Sequence, residues 1–258
     1  MRPLPRFTAR KDVIICAMAY PTGKDRLRDS VWRRLIDEGV THCDAYGSIP
    51  PFAGAAAAAA RLAELDFWKQ ARVIKANPDV AQLAVRQRAL LDGKLLYMAV
   101  PRLATPRPFF RLDPAVLPHP VEDAAAKEVA AVVAPTVGVD EMRPIDVVIC
   151  GSVAVNRTGS RLGKGAGYSD LEIALLVQAG LVTDRTVIVA PVHEVQLTEE
   201  AIPVTEHDVG LDVIVTPERV LHCTRQRRPP GILWDHLSPE KVAAIPVLAA
   251  AAGKQGAD

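Results

Sequence analysis

The stretch IDVVICGSVAVNRTGSRLGKGAGYSDLEIALL, Ile145–Leu176, decides the fold. Its first part, Ile145–Val155, is apolar and reads as one buried strand. "NRTGS" then turns the chain. Gly163, Gly165 and Gly167 alternate through "GKGAG", just ahead of the apolar run "IALLVQAG". Ser169 and Glu172 have the S-x-x-E spacing of a capping box, so a helix is expected to begin near Ser169.

Glycines at this density let backbone N–H groups converge and let a ligand come close to the main chain. Lying before the positive end of a helix, they have the geometry of a phosphate site. Arg161 and Lys164 add two cations. The pattern is neither a Walker A loop nor a GxGxxG fingerprint, because Lys164 sits inside the glycines and no K-[ST] follows the last one. A turn with solvated cations is the alternative. Asp170 weighs against it. A carboxylate beside a bound phosphate repels it unless a cation lies between, and Mg2+ binds through one or two carboxylates plus phosphate oxygens. Asp170 is therefore a candidate Mg2+ ligand; otherwise it complements the helix dipole.

Working outward, strand and helix patterns alternate. Lys24–Glu38 reads as a helix stopped by Gly39, and "GAAAAAARLAEL" as an Ala-rich one. "ARVIKANP" is a short strand ended by Asn77-Pro78. "AQLAVRQRALLDGK" is a helix, and "LLYMAVP" a buried strand. "TVIVAPV", "LDVIVT" and "RVLHCT" supply further strands. This alternation implies an open, mostly parallel sheet covered on both faces. The Pro-rich segment from Pro101 to Asp123 reads as irregular, either a linker or a binding loop. Phe109 and Phe110 within it would cover a flat ligand ring or anchor the loop in the core. A short apolar strand is expected at Val13–Ala19. The expected organisation is an N-terminal arm at 1–23, one α/β domain at 24–250 and a tail at 251–258.

With 258 residues, 49% of them apolar, the chain is long enough for one decorated α/β domain. Its net charge of +1 gives no global field toward nucleic acid or a membrane. Cys16, Cys43, Cys150 and Cys223 form no CxxC pair and read as buried or idle thiols. No apolar run follows the basic N-terminus, and the Ala-rich run is too short and too charged to span a bilayer. A cytoplasmic protein is expected. His193, at the carboxyl end of a strand, is either a general base or a satisfied loop histidine. His207 and Asp208 are catalytic, or they bond backbone and close a turn. Asp212 reads as structural. "RQRRPP" with Trp234 reads as a solvated loop, with no RNA-binding signature.

Taken together, the residues Ile145–Asp170 resemble the signature of the 5-formyltetrahydrofolate cyclo-ligases, a strand followed by G-x-R-x-G-x-G-x-G-Y-Y-D. "KDRLRDSVW" is similar to that family's N-terminal K-x-x-[LI]-R helix, "LLYMAVPRL" to the strand before its substrate loop, and "TEHDVGLDVIVTPERVL" to its H-D-x-x-[LV]-D-x-I-[VI]-T ending. "ARVIKANPDVAQLAVRQRALLDGK" and "RRPPGILWDHLSPEKVAAIPVL" are more similar still to a divergent branch, the methenyltetrahydrofolate-synthetase-domain-containing and cyclo-ligase-like proteins.

The resemblance implies a three-layer α/β/α fold of the kind shared with sugar-phosphate isomerases and CoA transferases. It implies an ATP- and Mg2+-dependent ligase of one-carbon metabolism. In that reaction ATP phosphorylates the formyl oxygen of 5-formyltetrahydrofolate, the neighbouring amine attacks, and phosphate leaves as the methenyl ring closes. By position, Lys24, Arg28, Gly163, Lys164, Gly165, Gly167 and Tyr168 would bind ATP. Arg161, Lys164 and Tyr168 would be catalytic, and Asp170 would hold Mg2+. The implied partner is a small molecule, a reduced folate or another ATP-activated carboxamide or carboxylate, with no nucleic acid and no membrane. The chain departs from the family pattern at Ser169, in place of the second Tyr, and at Leu171, in place of an Arg. The E-[VI]-D-T segment has no counterpart after Asn77-Pro78-Asp79. Two alternatives follow: the same activation chemistry on a non-folate substrate, or a non-catalytic folate- or nucleotide-binding protein linked to one-carbon or thiamin metabolism.

Overall fold

The computed structural model describes residues 22–42, 44–118, 120–224 and 228–255. The expected strand at Val13–Ala19, nearly all of the arm, Cys16, Cys43 and the start of "RQRRPP" lie outside them. In chain order the elements are α1 (Gly23–Asp37), α2 (Ala55–Ala63), α3 (Asp66–Gln70), β1 (Val73–Ala76), α4 (Leu83–Leu91), β2 (Leu95–Ala99), β3 (Phe109–Leu112), α5 (Lys127–Val133) and β4 (Thr136–Val137). There follow β5 (Val147–Ile149), β6 (Ala154–Val155), β7 (Arg161–Leu162), α6 (Tyr168–Gln178), β8 (Val187–Pro191), β9 (Val213–Val215), β10 (Val220–His222), α7 (Pro239–Ala244) and α8 (Pro246–Gln255).

Among the described residues, eight strands form one sheet in the order β10-β9-β8-β5-β1-β2-β3-β4. The five central strands, β9 to β2 in that order, run parallel. The edges are antiparallel. The short parallel strands are apolar throughout because helices cover both faces. On β1, Ile74 and Ala76 face a core shared with Leu27, Val31 and Leu35 of α1 and Leu62 of α2. Val73 faces the opposite core, with Ile173 and Leu176 of α6 and Leu248 of α8. This is the mostly parallel three-layer arrangement that the alternating pattern implies.

From β1 the chain moves through α4 to β2 on one side; from β5 it moves through α6 to β8 on the other. The direction of winding therefore reverses between β1 and β5. In open α/β sheets that reversal leaves a crevice at the carboxyl ends of the two strands, where ligands bind. Here those ends carry Asn77-Pro78-Asp79 and Cys150-Gly151-Ser152.

Two expectations need correction, and one alternative is decided. Ile145–Val155 is not one strand: β5 ends at Ile149, and the chain re-forms at β6, which pairs with β7 in a separate two-stranded ribbon. The break falls at Gly151, where an added Cβ would stand 3.2 Å from Asp79, Gln82 and Ile49 side-chain atoms, so any larger residue would have to push these neighbours back. The Pro-rich segment is no linker, because it carries β3, bonded antiparallel to β2. Phe109 and Phe110 lie buried on that strand and anchor it in the core. Helix α8 runs to Gln255.

Candidate active site

The glycine loop, the start of α6 and the β1/β5 crevice surround one cleft of 410 Å3. Helix α6 begins one residue earlier than expected. Gly167, at φ 71°, is its N-cap and makes no side-chain cap. Ser169 therefore does not cap the helix; its Oγ lies 3.3 Å from Asn77 Oδ1 and donates to it. Glu172 does not complete a capping box. It turns toward the sheet because Lys75 of β1 is fully buried there and needs a counter-charge. With no side chain on its first N–H groups, the positive end of this 11-residue helix is left to the cleft, an arrangement that suits an anion. Gly165, at φ 104°, gives the loop a turn that other residues resist.

Arg161, Gly163, Lys164, Gly167, Tyr168 and Asp170 all line this cleft. Arg161 is buried on β7. Its Nε donates to the Val209 carbonyl at 3.0 Å, and Nη2 donates to Asp170 Oδ1. Val209 N–H donates to the same oxygen at 3.0 Å. Asp170 Oδ2 has no donor among the described residues. One free carboxylate oxygen is what Mg2+ requires when phosphate and water complete its shell. Lys164 Nζ reaches Asp79 Oδ1 at 3.0 Å, in a half-exposed pair that a phosphate can replace.

Lys24 and Arg28 are not on the cleft wall. Lys24 pairs with Asp208 at 2.6 Å. Burial alone would raise the Asp208 carboxyl; hydrogen bonds from Lys24 and Thr205 outweigh it and hold the group below its ordinary value. Arg28 Nε donates to the Gly163 carbonyl at 2.8 Å and so braces the glycine loop from α1.

His193 caps the short 3-10 helix Glu194–Gln196, its Nδ1 accepting from Val195 N–H. His207 lies against His236 and Thr205, outside the cleft. Asp212 is structural, as expected: it bonds Ile188 N–H and pairs with Arg228. Cys150 and Cys223 are free thiols.

Several cleft residues escaped the sequence reading. Asn77 donates through Nδ2 to Glu172 Oε2 at 2.9 Å, and its Oδ1 accepts from Gly151 N–H at 3.2 Å. Arg86 of α4 supports this turn from beneath, donating to the Asn77, Asp79 and Ala125 carbonyls. Burial lowers its guanidinium to about 10. Arg102 lines the opposite wall at φ 61°, followed by Leu103 at φ 51°. Two successive non-glycine residues in the left-handed region are strained, and buried Leu103 pins them. The one signal in the sequence is Asn77-Pro78-Asp79, whose pattern marks the end of a strand and names no ligand.

Among the described residues, no helix is long and apolar enough to cross a membrane. The sequence profile of the 5-formyltetrahydrofolate cyclo-ligase family matches residues 23–217. The methenyltetrahydrofolate synthase domain-containing protein of Mus musculus is 37% identical over 87% of the chain, and that of Homo sapiens 33% identical over 89%. The chain spans 62% and 61% of the lengths of those relatives. The solved structure of Aquifex aeolicus 5,10-methenyltetrahydrofolate synthetase superimposes with a TM-score of 0.51 at 19% identity, covering 79% of this chain and 94% of that one; the likeness shows a common fold. With its glycine loop, uncapped helix and β1/β5 crevice on that fold, the chain belongs to the 5-formyltetrahydrofolate cyclo-ligase family.

Proposed function

We propose that this chain is an ATP-dependent cyclo-ligase that closes 5-formyltetrahydrofolate to 5,10-methenyltetrahydrofolate. The observation that carries the reading is the uncapped N-terminus of α6 behind alternating glycines, with Lys164 on its rim. Bound Mg·ATP supplies the phosphoryl group that turns the formyl oxygen, a poor leaving group, into a good one.

The chain's own residues hold and orient. Gly165 and Gly167 admit phosphate oxygens to the main chain, and the first N–H groups of α6 donate to them. Lys164 exchanges Asp79 for a phosphate oxygen. Arg161, fixed through Nε and Nη2, keeps Nη1 near Gly163, where it offsets charge that builds on the transferring group. Asp170 Oδ2 would hold Mg2+. Tyr168, the first residue of α6, adds a hydroxyl to the wall. Arg28 shapes the loop through the Gly163 carbonyl, and Lys24 stands behind it on Asp208.

Absorbance of the methenyl product, followed with 5-formyltetrahydrofolate and Mg·ATP, tests the reading. No signal at high protein concentration removes it. A second reading keeps the activation chemistry and changes the substrate. It is favoured by the chain after Asp79, which winds directly into the 3-10 turn Val80–Gln82 and α4 where the family pattern has E-[VI]-D-T. Phosphate release with a panel of amide and carboxylate metabolites tests it.

A further inference from the structure

The floor of the cleft holds a charged group that the phosphate chemistry leaves unused. Glu172 projects from α6 onto β1, where Lys75 Nζ meets its Oε2 at 2.5 Å. Asn77 Nδ2 donates to the same oxygen. Both donors therefore saturate Oε2. Oε1 has no donor among the described residues, although the side chain is part of the cleft wall. Behind the cleft wall, and not lining it, the Gln82 amide, at both ends, and the Ser152 hydroxyl are buried without partners among the described residues. Gln82 Oε1 lies 3.2 Å from the position a Cβ on Gly151 would take. Buried carboxylates in folded proteins are nearly always satisfied at both oxygens, so a Glu172 oxygen left without a protein donor on a cleft wall points to a ligand that supplies the bond.

Charge narrows the choice. Lys75 already neutralises Glu172. A cationic ligand group would leave an excess buried charge, and an anion would be repelled by Oε1. A neutral donor satisfies Oε1 at no electrostatic cost. We propose that Glu172 selects the substrate of this cleft: its Oε1 accepts a hydrogen bond from a neutral N–H, so the site takes an amino- or lactam-bearing nitrogen ring. Lys75 and Asn77 are positioning residues, which keep Oε2 occupied and Oε1 turned outward. This rests on the reading of the cleft as the site of an ATP-activated substrate, and names the chemistry of that substrate's recognition.

Glu172→Gln makes the test specific. Lys75 and Asn77 are both donors, so they hold the amide oxygen in the Oε2 position. The atom facing the cleft then changes from acceptor to donor with almost no change of shape. Because this leaves Lys75 without a counter-charge, Lys75→Met/Glu172→Gln is made beside it; Asn77 still orients the amide there. Calorimetric titration of the full chain measures 5-formyltetrahydrofolate and Mg·ATP separately. The expected result is a loss of roughly tenfold to hundredfold in 5-formyltetrahydrofolate affinity in both variants, with Mg·ATP affinity unchanged. Equal folate affinity in wild type and variants overturns the proposal and leaves the cyclo-ligase reading standing. If the wild type binds no 5-formyltetrahydrofolate, the folate reading fails by itself, and uracil against 1,3-dimethyluracil decides the role of Glu172 by ligand-observed NMR. Uracil binding that is lost on N-methylation and lost in the variants upholds it; no N–H-dependent binding overturns it.

Discussion

Arg161 and Asp170, nine positions apart, are clamped together by Val209, whose carbonyl accepts from Arg161 Nε and whose N–H donates to Asp170 Oδ1. The residue expected on phosphate and the residue expected on magnesium are thus each other's partners. Removing the carboxylate strands a buried guanidinium. Asp170→Asn is expected to cost about 3 kcal/mol, the lower end for breaking a buried pair, because Asp170 is itself partly exposed. Urea unfolding measures this. The metal role predicts something more: Mg·ATP should raise the unfolding midpoint of the wild type and not of the variant. An equal rise in both leaves Asp170 a structural partner only.

Lys164 has the opposite balance. Its pair with Asp79 is half exposed and screened, so Lys164→Ala is expected to change stability by less than about 1 kcal/mol. Its effect on Mg·ATP affinity should be large, on the order of tenfold or more, since one charge-assisted contact to phosphate is lost. Isothermal titration and urea unfolding on the same protein separate the two effects. Unchanged affinity would remove Lys164 from the phosphate site.

The contrast between these residues explains what was legible in the sequence. Gly163, Lys164, Gly165, Gly167 and Tyr168 form a local pattern, and local patterns carry their geometry with them. The alternation of strands and helices likewise gave the parallel sheet. What could not be read is what arises when distant segments meet. Lys75 and Glu172 are 97 positions apart, and Glu172 had a local explanation, the capping box, that burial of Lys75 overrode. The strand β3 was hidden by Pro106 and Pro108, which lie just outside it. The break at Gly151 follows from Asp79 and Gln82 crowding in from another strand end, and no periodicity in Ile145–Val155 announces it.

The Lys24–Asp208 pair makes stability depend on acid. Its carboxyl is held below the ordinary aspartate value of 3.8 in the folded chain. The pair therefore contributes stability fully at pH above that ordinary value, and the contribution is lost as pH falls through the lower folded value. Asp208→Asn should lower the urea midpoint near neutral pH and narrow its difference from wild type toward about pH 3. A difference that stays constant over that range would show that Asp208 acts through its turn with Thr205 and not through its charge.

Lys75 and Glu172 offer the sharpest test of how the cleft floor is built. Burial pushes the Glu172 carboxyl up and Lys75 pulls it back, so neither partner is at ease alone. Lys75→Met should leave a buried, unpaired carboxylate and cost about 3–5 kcal/mol near neutral pH. Glu172→Leu should cost a similar amount by stranding the ammonium. The double variant Lys75→Met/Glu172→Leu removes both charges and adds apolar volume between β1 and α6, so it is expected to recover most of that loss. A double-mutant cycle in urea measures the coupling. If the single variants are mild and additive, water reaches the pair in solution, and the dry floor on which the recognition argument depends is wrong. If the double variant is stable yet binds no substrate, the charges are kept at this position for recognition at the expense of stability.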